Sequence, residues 1–278
     1  MRRERVMRHG RLSSAYQILN PDFDYWFDES LDAVAGYVRR GDWWVVGGGP
    51  VCADENEAAA GRAIEAAAAR QGCRVVFVCA DDRLKSILLS QGHHGFVTIG
   101  AETVWNPQYW WHRPRQSASL RQQLNRARNK HVRVSPLFGD AIAAVAGELR
   151  PVVADWLTTR PLPAMRFLND PRSLDGELAG RRAWVARQDG RVVAFLLASP
   201  VVQRNGYLFE LIARRHDAPN GTVELLIDAA MRGVAESGST YATLGLVILS
   251  PYAVDAMRKN PLWMRALTEF SRARPALL

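Results

Sequence analysis

The 278-residue sequence has no apolar run near the roughly 20 residues that a bilayer-spanning helix needs, so no transmembrane segment is expected. Met1 to Arg11 is basic, but no apolar stretch follows it, which argues against a secretory leader. Residues 1–12 read as a flexible basic tail. Cysteine is scarce: Cys52, Cys73 and Cys79 have no metal-ligand spacing. An odd count of this kind reads as buried small side chains in a reducing cytoplasm. A metal site is not expected. His93 and His94 adjoin in a glycine-flanked turn and point opposite ways, and neither they nor His112 has a cluster of carboxylates or cysteines nearby. The nucleophile elbow, the P-loop and the dinucleotide fingerprint are all missing. Gly47-Gly48-Gly49 lacks the spacing of any of them and reads as a strand bulge.

Apolar residues make up 48% of the chain and charged residues 23%, the profile of a folded globular protein long enough for one large or two ordinary domains. A net charge of +8 favours a polyanionic partner. The charge is unevenly spread. His112 to Val134 carries seven Lys or Arg and no acid. Ser117 or Ser119 can cap a helix running to about Lys130, with Leu120, Leu124 and Ala127 forming a narrow apolar seam. That leaves Arg121, Arg126, Arg128 and Lys130, with Arg115 just upstream, as candidate phosphate ligands. Tyr109, Trp110 and Trp111 are placed to stack on unpaired bases. The competing reading is a solvated linker helix whose arginines pair with distant acids.

Local patterns predict two α/β units. In the first, residues 13–20 read as a short strand. Val34–Val38 and Trp43–Val46 form a hairpin, a helix spans Glu55 to Gln71, a strand follows at Arg74–Cys79, and a second helix covers Arg83–Gln91. A strand begins at Phe96–Ile99, and a helix spans Asp140 to Thr158 ahead of an irregular stretch around Pro161, Pro163 and Pro171. In the second unit, a hairpin turns about Asp189-Gly190, followed by a strand at Tyr207–Ala213, a polar loop, a helix at Gly221–Ser237 and a strand at Tyr241–Val247. The order of strands, loop, helix and strand recurs.

The loop from Arg214 to Gly221 feeds a helix N-terminus, whose amides and dipole favour anions. Arg214, Arg215, Asn220 and Gly221 are candidates for gripping a phosphate or carboxylate. The spacing that cradles coenzyme A in acetyltransferases is absent, so that cofactor is disfavoured. Glu210, at the end of the preceding strand, is the candidate base or ammonium ligand; a salt bridge to Arg214 or Arg215 is its plainer reading. Asp217 is second, and Arg214 is the candidate for charge stabilisation.

Several segments together resemble the soluble C-terminal domain of bacterial phosphatidylglycerol lysyltransferases, the group that includes the multiple peptide resistance factors. They are Leu19–Phe27, Val46–Val51, Gly95-Phe96 with Ile99–Glu102, and Ser119–Arg121 with Arg126–Arg128 in the first half. Val193–Phe195, Asp217–Thr222 and Leu244–Leu246 follow in the second. Gly49 stands where the family usually has an acid. Glu210 and Ala213 stand where it has Asp and, three residues on, Arg. Relatives continue past Asn260-Pro261-Leu262-Trp263 to an aromatic strand and a Lys-rich end, which this chain lacks before Leu278.

The resemblance implies two tandem GNAT-like acyltransferase folds of α/β (α+β) class, at 13–115 and 136–278, joined by a basic helix at 116–135, the second lacking its usual last strand. It also implies aminoacyl transfer from an aminoacyl-tRNA to a lipid or other hydroxyl or amine acceptor, with no cofactor beyond the charged tRNA. Anionic phospholipid is a further expected partner, and the location expected is cytoplasmic, peripheral to the inner membrane face. An acyl-coenzyme A N-acyltransferase and a non-catalytic RNA- or anion-binding relative are the alternatives.

Overall fold

In the computed structural model, residues 1–92, 95–160 and 170–265 are described. The chain divides into two compact units. One comprises Met1–Thr103, Val201–Gln203 and Leu246–Leu278; the other comprises Val104–Pro200 and Arg204–Gly245. His93, His94, Pro161, Pro163 and the chain end after 265 lie outside the described residues.

The first unit opens with α1 (Arg2–His9) and a 3-10 turn at Ser13–Leu19. Strands β1 (Asp24–Asp28), β2 (Ala33–Arg40) and β3 (Trp43–Gly47) form an antiparallel meander. Helix α2 (Glu57–Arg70) then crosses over to β4 (Arg74–Val78), parallel to β3, and α3 (Asp82–Ser90) follows. A parallel neighbour needs such a crossover, and the Ala-rich α2 supplies it. The alternation of β2 splits its side chains between two cores. Val34 packs with Val6, Tyr16 and Ile18 on one face; Ala35 packs with Trp44, Val46, Ile64 and Ala68 on the other. At Gly36 a Cβ would lie 2.6 Å from that of Ile18, so the 3-10 turn can press on β2 only at a glycine.

Expectations for the chain start fail, and the strand expected to begin at Phe96–Ile99 starts only at Gly100. Ser13–Leu19 is not a strand. Six of its seven residues, Ser14 to Leu19, are buried, and it lies over the sheet rather than in it. Residues 1–12 are not a loose tail either. Arg5 and Val6 are buried, and Asp32 gathers Arg5 (2.9 Å), Arg8 (2.7 Å) and His9 (2.8 Å). Those hydrogen bonds, that of His9 foremost, hold the Asp32 carboxyl well below the usual carboxylate range.

The second sheet is six-stranded, in the order β5-β10-β9-β8-β7-β6. Its strands are β5 (Gly100–Trp105), β6 (Arg133–Phe138), β7 (Arg182–Gln188), β8 (Arg191–Val201), β9 (Gly206–Arg214) and β10 (Tyr241–Ile248). Helices α4 (Arg113–Gln116), α5 (Ala118–Asn129), α6 (Asp140–Thr158) and α7 (Thr222–Glu236) accompany it, and a short α8 (Val254–Met257) belongs to the first unit. The β7–β8 turn sits at Asp189 (φ 50) and Gly190 (φ 82), both left-handed, as its Asp-Gly pair requires.

Strand β8 is apolar along nearly its whole length because both of its faces are covered. Ala194, Leu196 and Ala198 join the core with α5 and α7; Phe195 and Leu197 join the core with α6. On β9 that alternation slips by one residue at Glu210. Phe209 and Ile212 face the α7 core, Leu211 and Ala213 the α6 core. α7 makes β10 parallel to β9, as α2 does for β4 and β3.

This repeat of strands, helix and parallel strand is the mixed α/β arrangement of two tandem GNAT-like halves expected from sequence. The compact units nevertheless divide the chain differently from 13–115, 116–135 and 136–278. α5 is no linker: Leu124 and Ala127 are part of the second unit's core with Trp184 and Ala230, and the chain from Leu246 onward belongs to the first unit. Gly47–Gly49 is a strand end and turn rather than a bulge, with Gly48 at φ +71.

Candidate nucleic-acid interface

The acid-free segment forms one surface of the second unit. Ser117 Oγ caps α5 by accepting from the Leu120 amide at 3.2 Å, as its position before the helix predicts. The apolar seam turns Leu124 and Ala127 inward against α7, while Arg115, Arg121, Arg126, Arg128 and Lys130 stay exposed. Two of these are engaged. Arg121 donates to the carbonyls of Pro114 (3.1 Å) and Arg115 (2.6 Å), stapling the end of α4. Arg128 lies 3.8 Å from Asp228. Arg115, Arg126 and Lys130 have no acidic partner among the described residues.

Tyr109 is 71% exposed and Trp111 42% exposed, the latter with the Arg232 guanidinium over one face of its ring. Trp110, expected to stack on bases, instead turns inward and packs on the core; its indole N–H donates to Asp228 at 3.0 Å. The Asp228 carboxylate is 3% exposed. It also accepts from Arg232 at 3.0 Å, whose guanidinium lies 4.5 Å from the centre of the Trp111 ring. Sequence reasoning missed Asp228. Its i,i+4 relation to Arg232 was visible, but Trp110 is 118 positions away.

The loop after β9 gathers less than expected. Arg214 is exposed at the strand end. The Arg215 side chain donates to the Val192 carbonyl at 3.0 Å, which anchors it to β8. Asp217 accepts from Arg191 at 2.8 Å, and that bond lowers its carboxyl from the ordinary value. Asp155 accepts the His216 amide at 2.8 Å, with His216 Nδ1 2.9 Å away; that amide bond lowers the Asp155 carboxyl. Asp155, His216 and Asp217 converge as a group with cation-ligand atoms, but Arg191 and the internal bonds already engage them.

Asn220 is exposed. Gly221, at φ +89, begins α7, and a Cβ there would lie 2.0 Å from the Gln123 carbonyl oxygen of α5. The glycine therefore serves helix–helix approach. A carbonyl oxygen so close also opposes an anion at that helix end, against the expectation for Gly221.

Glu210 does not face the loop. Its carboxylate and the Arg181 guanidinium are 3.1 Å apart, both side chains fully buried, and Arg181 also donates to Ser199 Oγ at 2.9 Å and to the Ser173 carbonyl. A carboxylate held this way is committed to an internal cation, so the base role expected for it is not supported, and neither is pairing with Arg214 or Arg215. No described contact brings Glu210, Asp217 and Arg214 together.

The first unit has its own cleft, lined in part by His9, Arg11, Gly49, Cys52, Asp54 and Glu57. Arg11 reaches Asp81 (2.7 Å) and Glu57 (3.4 Å), and Arg83 reaches Glu57 (2.7 Å). Burial raises the Glu57 carboxyl and pushes the Cys52 thiol up to about 12, which rules out a ready thiolate.

The family model described as phosphatidylglycerol lysyltransferase, C-terminal, matches residues 3–277. The chain belongs to this family. Among solved structures, this lysyltransferase-family chain is similar to the C-terminal domain of a protein assigned as lysylphosphatidylglycerol synthetase from Agrobacterium fabrum. The TM-score is 0.79 at 21% identity, over 96% of this chain and 87% of that one. It is similar to L-PGS from Bacillus licheniformis at a TM-score of 0.74 and 18% identity, over 90% of this chain and 76% of that one. FemX shares the fold at a TM-score of 0.54 and 8% identity, over 85% of this chain and 87% of that one. No curated protein matches the sequence. Among the described residues of this lysyltransferase-family chain, no helix is long and apolar enough to cross a membrane.

Proposed function

We propose that the chain is an aminoacyl-tRNA-dependent aminoacyltransferase, acting on a lipid or another hydroxyl or amine acceptor. The observation that carries this reading is the outer face of the 109–130 segment. It presents Arg115, Arg126 and Lys130 free of acidic partners among the described residues, beside the exposed rings of Tyr109 and Trp111. Cations track a phosphate backbone and rings stack on unpaired bases, which together suit the single-stranded end of a charged tRNA. Family membership supports aminoacyl transfer as the reaction class.

The chemistry asked of the protein is modest. The donor ester is already activated, so no further cofactor is needed. The acceptor must lose a proton and the tetrahedral oxyanion must be stabilised. Of the three residues first considered for chemistry, Arg214 is the one left exposed without an ion pair, and it is suited to the oxyanion. Arg215 and Asn220 border the same loop.

The test measures binding of charged tRNA across a salt series. The affinity should fall steeply with salt. Replacing Arg115, Arg126 and Lys130 together by Ala should flatten the slope of log affinity against log salt by about two to three. Incubation with labelled aminoacyl-tRNA and a membrane extract should then carry label into organic solvent. A slope unchanged by the triple variant would overturn the interface. Retention on coenzyme A with no transfer from tRNA would overturn the reaction.

A further inference from the structure

The proposed transfer needs a group to take the acceptor's proton. Glu210 is sealed against Arg181, and Asp217 is held by Arg191. His216, in the loop after β9, is different. Asp155, near the end of α6, grips it at two points. One carboxylate oxygen accepts the His216 amide at 2.8 Å, and the other lies 2.9 Å from the ring Nδ1. The amide bond, with the ring bond after it, keeps the Asp155 carboxyl below its ordinary value, so it stays ionised and can only accept. Nδ1 therefore carries the proton of the neutral ring, and the lone pair sits on Nε2. Nε2 has no hydrogen-bond partner among the described residues. The His216 side chain is 69% exposed, so that atom is open to a substrate.

The position in the fold suits the task. β9 and β10 run parallel, and ligands gather beyond the carboxyl ends of parallel strands. Arg214, suited to the oxyanion, closes β9, and His216 follows just past it. The same loop ends at Gly221, which packs close against Gln123 of the basic helix α5. The charges facing the ring are Asp155 from α6, Asp217, Arg214 and Arg215 from the loop, and Arg191 from β8 through Asp217.

We infer that His216 is the general base of the transfer and that Asp155 is its positioning residue. This assignment rests on the aminoacyltransferase reading. Nε2 takes the proton of the acceptor hydroxyl or amine as the acceptor atom attacks the ester carbonyl carbon. When the tetrahedral intermediate collapses, the bond to the terminal ribose oxygen of the tRNA breaks. Nε2 then returns the proton to that oxygen, leaving the ring as it began.

The experiment follows label from charged tRNA into a membrane extract over a pH series. The wild-type rate should rise with pH through the range in which imidazoles lose their proton, then level off. His216→Gln keeps the backbone bond to Asp155, so charged-tRNA affinity should be unchanged. Its rate should fall at least about a hundredfold, and the rising limb should vanish. Added imidazole should restore part of the rate of His216→Ala. Asp155→Asn can still accept the His216 amide, but it offers an N–H to the ring and favours the proton on Nε2. It should lower kcat and leave KM for the charged tRNA unchanged. A His216→Gln variant with the wild-type rate or the wild-type limb would overturn the assignment and leave the function reading standing. Loss of transfer to a chelator, reversed by zinc, would overturn it too, by giving Asp155, His216 and Asp217 to a cation. A wild-type chain that binds charged tRNA and transfers nothing would instead overturn the function reading, and the base role with it.

Discussion

Gly221 separates two accounts of the loop before α7: an opening for an anion, or a point of closest helix approach. Replacing it by Ala imposes two costs. A left-handed φ of +89 is about 1–2 kcal/mol unfavourable for a residue with a Cβ. The new Cβ would stand 2.0 Å from the Gln123 carbonyl oxygen, a main-chain atom that cannot swing aside. Relief requires α5 and α7 to part where Leu124 and Ala127 pack, and overpacking of this kind costs about 1–3 kcal/mol.

The sum is about 2–5 kcal/mol, or a fall in Tm of about 10 °C for a unit of this size. Gly190→Ala is the matched control. Its φ is +82, and an added Cβ meets nothing within 4 Å, so it should lose only the backbone part. Urea unfolding of both variants, followed by tryptophan fluorescence, gives the comparison. If Gly221→Ala loses no more than Gly190→Ala, the close packing of α5 on α7 is wrong, and the anion reading of that helix end returns.

The buried pair predicts unequal single and double losses. Glu210→Leu or Arg181→Met alone should cost about 3–5 kcal/mol by leaving one charge buried, and the double variant should recover most of it, as denaturant midpoints would show. Asp32 has a depressed carboxyl, so its stabilisation is present above the unfolded value of about 3.9 and is lost as pH falls through the lower folded value. Asp32→Asn should therefore lower stability at neutral pH and shrink the acid-induced loss below about pH 4, read from denaturation midpoints over a pH series. Thiol titration of the native chain at mildly alkaline pH should find Cys52 and Cys79 unreactive, since burial raises them to about 12 and about 11; rapid labelling of Cys52 would refute its enclosure.

The elements that could be read from sequence are those whose cause is local. Helix α6 was expected at Asp140–Thr158 and lies there. The Asp189-Gly190 turn needed two left-handed residues and has them. The Ser117 cap and the Leu124–Ala127 seam together placed α5. The misses have distant causes. Ser13–Leu19 is buried nearly throughout, so its residues carry no period from which to tell a strand from a 3-10 turn. The N-terminal Arg5 and Arg8 looked unattached because their partner, Asp32, is 27 and 24 positions away. Glu210 was assigned to neighbouring arginines, whereas the cation that holds it precedes β7 and meets it only once the sheet has formed. The basic face of α5 could be read as a charge run, but which of its arginines are already engaged depended on α4 and α7.

The Arg181–Glu210 pair should also leave a mark on sequence drift. With both side chains sealed inside, a change at either position alone is disfavoured by selection for a folded protein. Among descendants of a common ancestor, the two positions should therefore mutate jointly, exchanging the ion pair for two neutral residues. Lineages caught between the two states should be rare, and an alignment deep enough to count them would show whether the pair has been inherited as a unit.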